Sequence, residues 1–115
     1  MKPANLNLVI YQGTTFSKGT SWKNVDGTAY NLVGRTFRGQ IRSGYDGLDI
    51  LGAFEFDTSD LVHGNLTLLL GDSATSALPS TLNKSPLVYD IEMVNGSNVD
   101  RVFQGTVTVS PEVTK

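Results

Sequence analysis

The chain has 115 residues, with 9 Lys and Arg against 11 Asp and Glu, a net charge of -2, and 17% charged residues in all. That length suits a single domain, residues 1–115, able to bury about 65% of the surface its unfolded form exposes. Lys23, Arg35, Arg38 and Arg42 are separated by polar or apolar residues, which argues against nucleic-acid binding, and without cysteine there is neither a disulfide framework nor a thiolate zinc site.

From the N-terminus, the apolar run 6–11 is interrupted by Asn7 and is too short and polar for a signal-peptide core or a membrane span. The expectation is a soluble, unprocessed chain with no membrane insertion. Period-two alternation between turn signals predicts strands at 6–12, 15–23, 29–32, 36–42, 50–56, 65–70, 87–94 and 99–109. Asp26-Gly27, Asp46-Gly47, His63-Gly64 and Asn95-Gly96 punctuate them. The single helical candidate is 73–78, with Ser73 as cap and Pro79 as stop, crossing between sheets. The segment 78–86 is rich in proline and polar residues and reads as an exposed loop.

The last quarter is the most telling. Tyr89, Ile91 and Met93 alternate with Asp90 and Glu92, the turn 95–98 tolerates positive φ, and Phe103, Gly105, Val107 and Val109 then share one face. That is a β-hairpin, ended by Ser110-Pro111 because proline has no N–H to give a ladder. The whole predicts an all-β sandwich of about 7–9 short, mainly antiparallel strands. Its core is expected in or beside Leu8, Ile10, Phe16, Trp22, Leu32, Phe37, Ile41, Phe54, Phe56, Leu66, Leu68, Tyr89, Ile91, Phe103 and Val107.

Catalytic chemistry finds little support. The segment 13–20 holds phosphate-loop ingredients, but Lys18 precedes the second glycine and no helix follows, so a strand with a glycine bulge is the better reading. Asp57 with Asp60, and Asp46 with Asp49, sit where aspartate bonds its own turn, and neither pair has the ligand spacing of a calcium loop. His63 is the only histidine and lies in a turn, with no second histidine or cysteine for zinc and no G-x-S-x-G segment for it to serve as base. No enzyme, metal site or cofactor is expected. The N-x-S/T sequons at Asn65, Asn83 and Asn95 are expected by chance in a chain this rich in those residues. Tyr11, Trp22, Tyr30 and Tyr45 are the aromatics to weigh as a sugar-stacking platform; Trp22 reads as core, and Tyr45 as the exposed candidate.

Two stretches resemble a known family. The acidic strand from Tyr89, its polar turn and the ending Gly105-Thr106-Val107-Thr108-Val109-Ser110-Pro111, together with Gln12-Gly13, Thr15-Phe16, Trp22, Asp26-Gly27, Asn31-Leu32, Gly34 and Gln40-Ile41-Arg42, are similar to small virion proteins of tailed bacteriophages. In that family the domain resembles the N-terminal immunoglobulin-like domain of phage baseplate upper proteins. The resemblance weakens between 43 and 86, and it transfers a fold with no catalytic or ligand residue.

The resemblance implies an immunoglobulin-like sandwich made in the bacterial cytoplasm and carried in the virion, a non-enzymatic structural protein of the tail, baseplate or fibre-attachment region. Its partners would be other virion proteins of tail, baseplate or capsid. Docking is expected through strand edges and extended termini, Pro3 and Asn5 before the first strand and Pro111, Val113 and Lys115 after the last. The alternatives are a capsid decoration protein and a carbohydrate-binding module that uses Tyr45 and Trp22 to take a glycan. A homo-oligomer would form through sheet edges or termini, since no heptads specify a helical one. Variable contacts are expected in the loops 43–49 and 71–86.

Overall fold

The computed structural model describes residues 3–44, 47 and 49–113. Two sheets face each other across a core of buried aliphatic side chains. The larger holds β1 (Ala4–Asn5), β2 (Leu8–Tyr11), β9 (Asn98–Ser110), β8 (Leu87–Asn95), β4 (Thr36–Arg42) and β5 (Ile50–Ala53), in the order β1/β2–β9–β8–β4–β5. The smaller runs β3 (Phe16–Ser21), β7 (Asn65–Leu70), β6 (Glu55–Asp60). All pairings are antiparallel except those of β1 and β2, which lie parallel to β9. The sandwich and its mainly antiparallel strands are as the alternation predicted, with 36–42 and 65–70 reproduced to the residue.

Four elements differ from expectation. In place of one strand at 6–12 the chain forms β1 and β2, with Leu6 and Asn7 between them. The segment 29–32 is no strand: it makes a single bridge, Lys23 to Ala29, and Leu32 turns fully into the core with its N–H bonded to the Leu61 carbonyl. The run 50–56 is two strands in two sheets. Phe54 keeps one backbone bond to Gly39, and the chain then crosses, leaving the Phe54 ring buried between Phe16 and Tyr89 at centroid distances of 6.4 and 5.6 Å. The short helix α1 (Asp72–Ala77) starts before Ser73, on Gly71, without a side-chain cap. It is pinned instead by Thr75, whose buried hydroxyl donates to the Thr14 carbonyl at 2.7 Å.

The loop after α1 is held as well. Leu78 is buried beneath Gly52, and Thr81 donates its N–H to the Val109 carbonyl while its hydroxyl accepts from the Val109 N–H; only residues 82–86 are exposed throughout. The core contains or touches every side chain expected there, and it gains Leu70, Leu78, Leu87, Met93, Val102 and Val109.

The N-terminal segment is seated by close approach. Between β1 and β2 the Leu6 carbonyl comes so near Gly105 that a Cβ there would stand 2.4 Å from it, and Asn7 Oδ1 accepts the Thr106 N–H. Tyr89, 2% exposed, donates its phenol O–H to the same Leu6 carbonyl at 2.5 Å. Burial pushes its ionisation from 10.0 up to about 12. In that interval the folded protein keeps a proton that the unfolded chain gives up, so stability present below pH 10 is lost as pH rises toward 12. We expect Tyr89→Phe to cost about 1 kcal/mol at neutral pH through the lost hydrogen bond. It should also flatten the alkaline decline, read by urea unfolding at a series of pH values; the same decline in both proteins would remove Tyr89 as its source.

Candidate docking surface

The side chains on the outer face of β4, β8 and β9 form a ladder of both signs. Alternation sends Ile91 and Tyr89 inward and Asp90 and Glu92 outward, and β8 lies between strands that present arginine on each side. Arg38 on β4 is the register partner of Glu92, and its Nε donates to Glu92 Oε1 at 2.6 Å. Arg101 on β9 pairs with Asp90 at 3.3 Å. Arg42 donates to the Gln40 side-chain carbonyl at 2.8 Å and to the Gly47 carbonyl at 3.0 Å. A shallow depression over the sheet is lined by Gln40, Arg42, Val88, Asp90, Glu92 and Arg101. These pairs are solvated, so they add little to stability.

The termini expected to dock are placed differently from one another. Asn5 belongs to β1, already paired with β9, and its side-chain oxygen accepts from Gln104. Pro3 precedes it, half-buried. At the other end Pro111 is exposed and stops β9, Glu112 donates its N–H to Gln12 Oε1, and Val113 is almost wholly exposed. Lys115 lies outside the described residues, as do Tyr45 and Asp46.

The aromatics do not form a flat platform. Trp22 is half-buried with its ring edge-on to Phe103 at 5.5 Å, 6.3 Å from Tyr30 at a 52° tilt and 6.5 Å from Phe37, and its indole N–H donates to Thr20 Oγ1. Tyr11 is exposed on β2, near the opposite end of the sandwich from Trp22. Asp57 and Asp60, expected in a turn, lie instead in strand β6, on either side of its register shift. Asp57 accepts the Ser59 N–H, and Asp60 accepts from Asn65 and lies 2.5 Å from His63 Nδ1; hydrogen bonding holds both carboxyls below their ordinary value. Asp26 is lowered likewise, first by the Thr28 hydroxyl and then by the Thr28 N–H. Gly13 sits in a turn from Tyr11 to Thr14 with φ of 80°, leading into β3 and not into a helix. Among the described residues no three metal-ligating side chains gather, and no helix is long and apolar enough to cross a membrane.

No family model matches the chain, and no curated protein matches it. Among solved structures, a chain from the crystal structure of ICOS in complex with ICOS-L and an anti ICOS-L VNAR domain superposes on 94% of this chain with a TM-score of 0.50 at 8% identity. The fold is immunoglobulin-like. The present chain spans 56% of the length of that one, and the likeness is one of backbone architecture alone. In this immunoglobulin-like frame the ladder of Arg38, Glu92, Asp90 and Arg101 occupies the outer side of the larger sheet.

That ladder was not singled out from the sequence. Its signal was present in the alternation of Arg38, Gln40 and Arg42 and of Asp90 and Glu92, which puts each set on one face; which strands stand side by side is what alternation leaves open.

Proposed function

We propose that this chain is a non-enzymatic structural component of a tailed-phage particle, placed in the tail, baseplate or fibre-attachment region, and that it works by docking onto other virion proteins. The observation that carries the reading is the outer face of β4, β8 and β9: a broad, shallow, polar surface with its charges held in register, suited to another protein's surface more than to enclosing a small molecule. The resemblance of the segments around Trp22, Gln40-Ile41-Arg42 and Tyr89–Pro111 to phage virion proteins supports the setting. The last of those segments supplies Asp90, Glu92 and Arg101 of the ladder.

Gold-labelled antibody on intact particles of the encoding phage, with copy number measured on the same sample, tests it. Label in a few copies at the tail tip or neck is the expected result. Reversing the ladder with Arg101→Glu should reduce incorporation about tenfold in a protein that still folds, since a like charge then faces Asp90. Label over the head in hundreds of copies would replace the tail placement with capsid decoration. Absence from the particle would overturn the virion reading and make a glycan screen the next experiment.

A further inference from the structure

Five strands lie at sheet edges, β1 and β2 sharing the one beside β9, and three of the five are visibly blunted. On β3, Lys18 is the register partner of buried Leu68, so a charge springs from the core-facing side of the edge. On β6, Glu55, Asp57 and Asp60 carry like charges and the register shifts between Asp57 and Asp60. On β5, the pairing with β4 is shifted at Ile41 and Arg42, Leu78 packs on Gly52, and the chain leaves for the other sheet after Ala53. β1 has only Ala4 and Asn5; β2 reads Leu8-Val9-Ile10-Tyr11, and among the described edge strands of four residues or more it alone has no charge, no register shift and no covering element.

Its outward groups follow from the parallel ladder. Leu6 N–H bonds to the Gln104 carbonyl and Gln12 N–H to the Ser110 carbonyl, so the even-numbered residues between them face β9. The N–H and C=O of Val9 and the N–H of Tyr11 therefore point to the free edge, while the Tyr11 carbonyl is taken by Thr14. Leu8 and Ile10 are buried, and Val9 and Tyr11 stand on the outer face, 53% and 59% exposed.

We infer that the free edge of β2 pairs with the same edge of a second copy, antiparallel, about a two-fold axis at Val9. Uncharged, this edge meets itself without like-charge repulsion, whereas two β6 edges would oppose aspartate and glutamate. The axis sets Val9 against Val9 with two reciprocal main-chain bonds. It also sets Tyr11 opposite Asn7 of the other copy, whose side-chain oxygen accepts the Thr106 N–H and whose side-chain nitrogen has no partner among the described residues. The two larger sheets then become one. So short a contact belongs to the weak, transient class of interfaces, and gains strength where copies are already held side by side. The inference extends the docking reading, on which it rests for its setting, but concerns the purified chain.

Sedimentation equilibrium up to about 1 mM tests it, with association expected at a Kd on the order of 100 µM. Val9→Lys should weaken association about tenfold, by opposing two ammonium groups across the axis. An equimolar mixture of Val9→Lys and Val9→Glu should restore it as a mixed dimer. Val99→Lys, on an equally solvated valine at the start of β9, should leave it unchanged. Thermal unfolding confirms that each variant folds, and the Val9 and Tyr11 amides should exchange more slowly as concentration rises. A wild-type monomer at every concentration overturns the inference and leaves this edge to a strand from another protein. A dimer indifferent to Val9→Lys overturns it equally. Neither result bears on where the protein sits in a particle, which the gold label decides separately.

Discussion

Gly64→Ala is expected to lower the free energy of unfolding by about 3–5 kcal/mol, the sum of a left-handed backbone and a steric clash. Gly64 follows the 3-10 turn Leu61–His63 with φ of 74°, its N–H bonded to the Leu61 carbonyl and its own carbonyl accepting the Trp22 N–H. A Cβ there would lie 2.5 Å from the Trp22 carbonyl and 2.7 Å from that of Tyr30. Both obstacles are backbone, so neither can swing aside as a side chain would. Relief would require the hairpin around Asp26-Gly27 to lift from the sheet, loosening Trp22 from Phe37 and Phe103. For a chain of this length the melting temperature should fall on the order of 10–25 °C. Trp22 emission should shift to the red before the main transition. A loss under about 1 kcal/mol would mean that the hairpin moves freely and that Gly64 is not what fixes it.

The second large effect is expected at Gly105, where no backbone strain is involved. Replacing it by alanine puts a methyl group 2.4 Å from the Leu6 carbonyl and 2.9 Å from Asn7 Oδ1, in the one place where the N-terminal segment crosses directly over β9. The segment must rise, taking the acceptor of the Tyr89 hydroxyl with it, and the seat of Leu8 and Ile10 is disturbed. We expect a loss of about 2–4 kcal/mol. Its signature should be faster exchange of the Leu6 N–H, which bonds to Gln104, ahead of amides at the β4–β8 pairing. Uniform loss of protection across both sheets would show instead that this segment and the core open together.

Much of this architecture is legible in the residues, because period-two alternation needs only one buried face to be read. Strands 36–42 and 65–70, and the hairpin between Tyr89 and Val109, follow from it directly. The crossing at Phe54 does not, since Ile50, Gly52, Phe54 and Phe56 keep the same alternation through the change of sheet, and a period carries no record of which neighbour it faces. The burial of Val102 is hidden for a related reason. The register shifts between Ile91 and Glu92, so Phe103 opposes Ile91 while Arg101 opposes Glu92, and the residue left between them turns inward. Leu32 is buried without any strand around it, held by the Leu61 carbonyl, a contact between segments that no local pattern connects. The charged ladder lies between these cases. Arg38 and Arg42, and Asp90 and Glu92, alternate in the sequence, but Arg101 belongs to neither set, and the pairing of Arg38 with Glu92 joins positions 54 apart in the chain and depends on strand order.

The parallel pairing of β2 with β9 has a mechanical meaning. The chain enters β1 opposite the middle of β9, Ala4 beside Phe103, runs the same way, and leaves β9 at the far end, where Tyr11 stands opposite Ser110. Tension between residues 3 and 113 would therefore pull the two strands along their length in opposite directions. The rungs joining them would be loaded together, in shear, instead of being unzipped one after another. Under such a pull the load would fall on the β2–β9 ladder, backed by Leu8, Ile10, Val107 and Val109 in the core.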